Sequence, residues 1–196
     1  MSLSSSRPTG QWLHGPDGPG WWFDSGSLAL DFAYSGAFPA AYETLNAPED
    51  LAHWLEGRFD DADGTVTARD LADAKGLRDA IARVAVARSL DRSAEASDID
   101  VINLFAATPD IPPALSGGTR QAGRGRARVG QALSAMARDA VELFGATDPG
   151  RIRECAAADC DIVFYDESRS NNRRWCSMQR CGNRAKVRAH RAKAQA

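Results

Sequence analysis

Four side chains in this 196-residue chain could hold a soft cation. All four fall inside 27 positions: Cys155, Cys160, Cys176 and Cys181, spaced as C-x4-C, fifteen residues, C-x4-C. Two short-range thiol pairs separated by roughly 15–20 residues are a common way for one chain to supply a tetrahedral zinc site. Four thiolates close the coordination sphere, so the Zn2+ they imply is a single structural ion with no position left for an activated water. The competing assignments are four unrelated thiols or a pair of disulfides, which persist mainly in oxidising compartments. The N-terminus lacks a basic region followed by an apolar core, and no apolar stretch approaches the length of roughly 18 residues that would span a bilayer. We therefore expect reduced thiols, a cytoplasmic location and no membrane partner.

The residues around the thiols must position them. Ile162, Val163, Phe164 and Tyr165 suit a strand, Asp166 to Asn172 suit a turn, and Arg173-Arg174-Trp175 can return as the partner strand. Gly182 permits a tight knuckle, Asn183 is a good N-cap, and Arg184 to Ala194 contain no Pro or Gly and are rich in Ala, Arg and Lys. The spacing thus predicts a hairpin followed by a terminal helix whose first turn is pinned to the metal, a treble-clef-like zinc finger.

The segments Cys155-Ala-Ala-Ala-Asp-Cys160, Phe164-Tyr165-Asp166, Arg173-Arg174-Trp175-Cys176-Ser177-Met178 and Cys181-Gly182-Asn183-Arg184 resemble the CGNR zinc-finger family, named for its tetrapeptide. Ser27-Leu28-Ala29-Leu30-Asp31-Phe32 is similar to the opening of the ABATE domain that precedes this finger in such proteins. The resemblance implies a stress-related transcription regulator with a DNA-binding finger, and it favours DNA over RNA as the partner.

Upstream, Ser-, Gly- and Pro-rich residues 1–20 predict a flexible lead-in, and residues 21–148 a mainly helical domain. The zinc finger is expected over 149–196. Ser27 is a candidate cap. Asn46-Ala47-Pro48-Glu49-Asp50 reads as a helix start leading to Leu51, Trp54 and Leu55 and stopping at Gly57. A Thr67 cap opens a longer helix to about Leu90, another helix follows Ser97, and Val129 to Gly145 carry a third apolar stripe. The glycine-spaced Arg120, Arg124, Arg126 and Arg128 read as a loop or as a phosphate-contacting arm. Asp31, among apolar neighbours, reads as a brace for local backbone or as a contact for a ligand. The finger has too few large apolar residues to build a core alone, so metal loss is expected to unfold it and leave the helical domain intact.

A formal net charge of −2 conceals a division: residues 151–196 carry 11 Lys/Arg against 5 Asp/Glu, while residues 1–150 carry 13 against 21. The finger is therefore formally +6 and the body −8. Four zinc-bound thiolates lower the finger to about +4. Arg184, Arg188 and Arg191 share one face of the terminal helix, with Lys186 and Lys193 adjoining it, and Arg169, Arg173, Arg174 and Arg180 lie on the hairpin side. That set is a candidate nucleic-acid surface. The alternative is a zinc-stabilised module for protein interaction or RNA binding without a transcriptional role. A small-molecule or protein effector would act at the N-terminal domain, although no residue constellation identifies one. Oligomerisation is compatible with the chain, as one finger is a weak reader alone. None of His14, His53 and His190 falls on the hairpin, where a metal-dependent nuclease of this shape would carry its base, so no catalytic activity is expected.

Overall fold

The structure, a computed structural model, describes residues 9–13, 20–36, 38, 42–59, 65–112, 127–145 and 148–194. His14, Arg120, Arg124 and Arg126 lie outside the described residues, and with them most of the arginine-glycine segment.

The chain opens with an antiparallel pair, β1 (Gln11–Leu13) and β2 (Trp21–Phe23), in which Trp12 faces Trp22. Residues 11–13 thus form a strand within the segment read as a flexible lead-in. Leu13 and Phe23 anchor the pair in the core, a contact that the surrounding Ser, Gly and Pro obscure in the sequence. Five helices follow: α1 (Leu28–Ala33), α2 (Pro48–Glu56), α3 (Ala68–Ser89), α4 (Ala96–Ala106) and α5 (Val129–Gly145).

Their boundaries follow local chemistry. Thr67 caps α3 by accepting from the Asp70 N–H at 3.2 Å, and Asp70 reaches back to the Thr67 N–H at 2.9 Å. At α2, Asn46 is not the cap. The Asp50 carboxylate instead accepts from the N–H groups of Asn46 and Ala47. Ser27 caps α1, and Asp139 on α5 accepts from the Ser27 hydroxyl at 2.6 Å and the Ala29 N–H at 2.8 Å. This long-range carboxylate complements the positive end of a helix of only six residues. The central helix is α3, which packs on α1, α2, α4 and α5 and buries Leu77, Ile81 and Ala85. Among the described residues no helix is long and apolar enough to cross a membrane.

After a 3-10 turn (Pro149–Arg151), β3 (Ile152–Glu154) pairs antiparallel with β4 (Val163–Tyr165), joining Ile152 to Tyr165 and Glu154 to Val163. The partner of β4 therefore precedes the first cysteine. Arg173 to Trp175 run as irregular backbone, touching the first knuckle through the Ala156 N–H and the Arg174 carbonyl at 2.9 Å. A π-helical turn (Met178–Gly182) then leads into α6 (Asn183–Ala194). Asn183 has helical angles, so it belongs to the helix and does not cap it.

The hairpin is joined to the helical body. Both β3 and β4 contact α3, and Ile152, Ile162, Val163 and Phe164 are buried in the same cluster as Leu77 and Tyr34. The Tyr34 hydroxyl donates to the Val163 carbonyl and accepts from the Val163 N–H, both at 2.8 Å, and the Tyr165 N–H donates to the Ser25 carbonyl. The finger thus shares one buried core with the helical body.

Asp31 on α1 is fully buried and accepts from the Ser25 hydroxyl and the Gly10 N–H, each at 2.6 Å. Of the two readings open to it, bracing of the local backbone is the one these bonds display. Burial pushes its carboxyl up to about 6, against the opposing pull of those two bonds and of the nearby Arg58. The folded state consequently holds a proton more tightly than the unfolded chain. This group's contribution to stability rises as pH falls from above 6 towards 4, by at most roughly 3 kcal/mol. In unfolding titrations across that range, wild type should gain stability relative to Asp31→Asn as pH falls. A pH-independent difference between them would remove Asp31 as the cause.

Candidate metal centre and basic helix

Each cysteine is delivered by a different local device. Cys155 follows β3 directly, and its N–H extends the ladder to the Ile162 carbonyl at 2.8 Å. The chain then turns tightly, the Cys160 N–H donating to the Ala157 carbonyl at 3.0 Å, before entering β4. Cys176 is held against the first pair by its own N–H, which donates to Cys155 Sγ at 3.4 Å. Cys181 lies inside the π-helical turn. Gly182 is needed there for space: a Cβ would stand 2.7 Å from Met178 Sδ and 3.3 Å from Trp175 Cδ1. Trp175 is half-buried against the core, consistent with packing on the knuckle.

The four Sγ atoms lie within 4.8 Å of one another, with Cys176 3.5 Å from Cys181 and 3.8 Å from Cys160. All four are free thiols. A disulfide needs its sulfurs about 2.05 Å apart, whereas thiolates at about 2.3 Å from a tetrahedral zinc are separated by about 3.8 Å. The donor set therefore fits one zinc. Cys155, Cys176 and Cys181 are buried and Cys160 half-buried.

The protons also divide unevenly. Hydrogen bonds from Cys160 and then Cys176 pull the Cys155 thiol far below its ordinary range. The hydrogen bond with Cys155 pushes Cys160 up to about 12, and bonds with Cys155 and then Cys160 push Cys176 higher. Thiols this close cannot all ionise without a cation, so zinc binding must release protons.

The nine predicted nucleic-acid residues occupy different environments. Lys186, Arg191 and Lys193 are exposed on α6, where no residue is buried. Arg180, Arg184, Arg188 and Arg191 line one groove of about 450 Å3 with Asn183 and Val187. Within it, Arg180 stacks on the Trp21 ring at 3.7 Å. Arg184 donates to Cys181 Sγ at 3.1 Å and to Asp159 at 3.0 Å, and Arg188 reaches the same Asp159 oxygen at 3.0 Å. Arg169 and Arg174 are exposed on the segment between β4 and Cys176, with Arg174 over the Trp175 ring at 5.1 Å.

Arg173 points inward. Its guanidinium donates to the carbonyls of Asp24, Trp175 and Cys176 at 2.8, 3.1 and 2.6 Å and stacks 4.2 Å from the Phe164 ring, which takes it out of the surface set. Sequence reasoning missed Asp159, whose carboxylate is held below its ordinary range by Arg188 and Arg184. Its place inside the first ligand pair was the available signal. Of the other candidates, His53 and His190 are exposed on α2 and α6, and Arg128 is exposed ahead of α5.

Comparison with known families assigns the two parts separately. The family model for ABATE, described as "Putative stress-induced transcription regulator", matches residues 26–147. The model for the CGNR zinc finger matches residues 151–194. No curated protein matches the chain.

Proposed function

Since the chain belongs to the ABATE family and carries a CGNR zinc finger with four cysteines placed for one structural zinc, we propose that it is a transcription regulator whose α6 contacts DNA. The observation that carries this reading is the state of α6. None of its twelve residues is fully buried, and it presents Lys186, Arg191 and Lys193 to solvent. An isolated helix of this length is marginal in water; here its preceding turn holds the zinc ligand Cys181. A helix fixed at one end and basic along its length matches the width and charge of a major groove. Arg169 and Arg174 would add phosphate contacts from the neighbouring loop.

The role is one of binding and not catalysis, exercised in the cytoplasm. The helical body would take the effector, a small molecule or a protein, and transmit its state through the core it shares with the hairpin. One helix contacts few base pairs, so a second copy on the DNA would supply the remaining affinity.

The test is the triple variant Lys186→Glu, Arg191→Glu, Lys193→Glu, which leaves the arginines bonded to Asp159 untouched. At moderate salt we expect duplex DNA affinity to fall by at least about tenfold, with zinc content and helical signal unchanged. Equal affinity of the variant and wild type would eliminate α6 as the contact. A zinc-loaded wild type that binds no DNA would point instead to an acidic protein partner.

A further inference from the structure

We propose that Arg184 is a positioning residue of the zinc site, holding the Cys181 thiolate and tying it to Asp159, and is not one of the nucleic-acid contacts. Cys181 Sγ belongs to a residue with no solvent exposure, so water cannot stabilise its negative charge. Arg184 Nη2 stands 3.1 Å from that sulfur. The same guanidinium extends Nη1 to Asp159 Oδ2 at 3.0 Å, and Arg188 Nη2 meets that oxygen at 3.0 Å. Thiolate, guanidinium, carboxylate and second guanidinium thus form one chain of alternating charge.

The topology gives that chain a purpose. Arg184 lies three residues after Cys181, and helical side chains lean towards the N-terminus, which brings the guanidinium back over the sulfur. Asp159 lies between Cys155 and Cys160. The clamp therefore joins the first ligand pair to the last ligand and to α6 without using the metal. Arginine suits the position because its planar fork supplies two donors in fixed directions, where lysine offers a single point charge. Partners outside the ligand sphere fix ligand orientation, and their loss typically weakens metal binding about 10–100-fold.

This inference goes beyond the proposed function and survives its failure, because the readouts are properties of the metal site. In the full-length protein, zinc affinity is measured by chelator competition, and the thiolate-to-metal charge-transfer band is recorded after Co2+ substitution. We expect Arg184→Met to weaken zinc affinity about 10–100-fold and to shift the Co2+ band, with Arg184→Lys intermediate and Asp159→Asn weakened less than Arg184→Met. Arg191→Met removes the same charge from the exposed face and should stay within about twofold of wild type. Unchanged affinity and band position in Arg184→Met would overturn the assignment, as would an equal loss in Arg191→Met. If Arg184→Met fails to fold, unchanged zinc affinity in both Arg184→Lys and Asp159→Asn overturns it equally.

Discussion

Replacing Cys176 by serine is expected to abolish stoichiometric zinc binding, unfold residues 152–194 and lower the melting temperature of the whole chain. Binding at structural zinc sites contributes roughly 10 kcal/mol or more to the folding of the module that holds them, and a short finger has no apolar core to replace it. The consequence extends further because Phe164 and Ile162, both without solvent exposure, belong to the same buried cluster as residues of α1 and α3, part of which would then face water. Tyr34 would also lose both hydrogen bonds to Val163. Far-UV circular dichroism should show the body's helices retained at low temperature and melting earlier, beside zinc analysis showing no bound metal. Retention of one zinc per chain with an unchanged melt would contradict both the ligand assignment and the shared core.

Arg173→Met should be the most damaging substitution among the nine basic residues first read as nucleic-acid contacts, costing about 2–4 kcal/mol of unfolding free energy. Methionine can occupy the aliphatic volume beside Phe164, but it leaves the carbonyls of Asp24, Trp175 and Cys176 without their donor. The bond to Asp24, in the chain before α1, helps to fasten finger to body, and those to Trp175 and Cys176 hold the second knuckle. Burial already depresses the Arg173 pKa, an effect that the carboxylates of Asp24, Asp166 and Glu167 offset in part. Arg173→Lys should recover only part of the loss, since one ammonium cannot span three separated acceptors. Urea denaturation of the zinc-loaded protein measures the difference, and a change within about 0.5 kcal/mol of wild type, as at an ordinary exposed arginine, would contradict the role.

The contrast between Arg173 and Lys186 shows what a sequence can and cannot convey. Four cysteines at metal spacing have few alternative uses, so Cys155, Cys160, Cys176 and Cys181 identify themselves. Caps are local chemistry, and Thr67 and Ser27 mark α3 and α1 because their bonds reach only three residues along the chain. Arginine carries no such address. Nothing near Arg173 in the sequence indicates that its acceptor is Asp24, 149 positions away, or that Arg184 meets Asp159 across 25.

The same limit explains the hairpin. Ile152-Arg153-Glu154 is too short and too charged to announce a strand, whereas Arg173-Arg174-Trp175 lies where a partner for β4 would be sought. Pairing was decided by tertiary contact: Ile152 is buried in the body's core, and the buried Asp166 accepts from the N–H groups of Ser168 and Arg173, turning the return segment towards the knuckle. Gly182 illustrates a right residue with a different reason, chosen for the room it leaves Met178 and Trp175.

In the proposed function, zinc organises a finger whose exposed basic helix meets DNA. That contact is tested most directly by measuring duplex binding by the zinc-loaded chain over a salt series, with a chelated sample beside it. Lys186, Arg191 and Lys193, joined by Arg169 and Arg174, would neutralise about three to five phosphates, which predicts a log–log slope of about −3 to −4.5 and loss of binding on chelation. A zinc-loaded, folded protein that shows no binding even at low salt, or whose binding is insensitive to both salt and zinc, would contradict it.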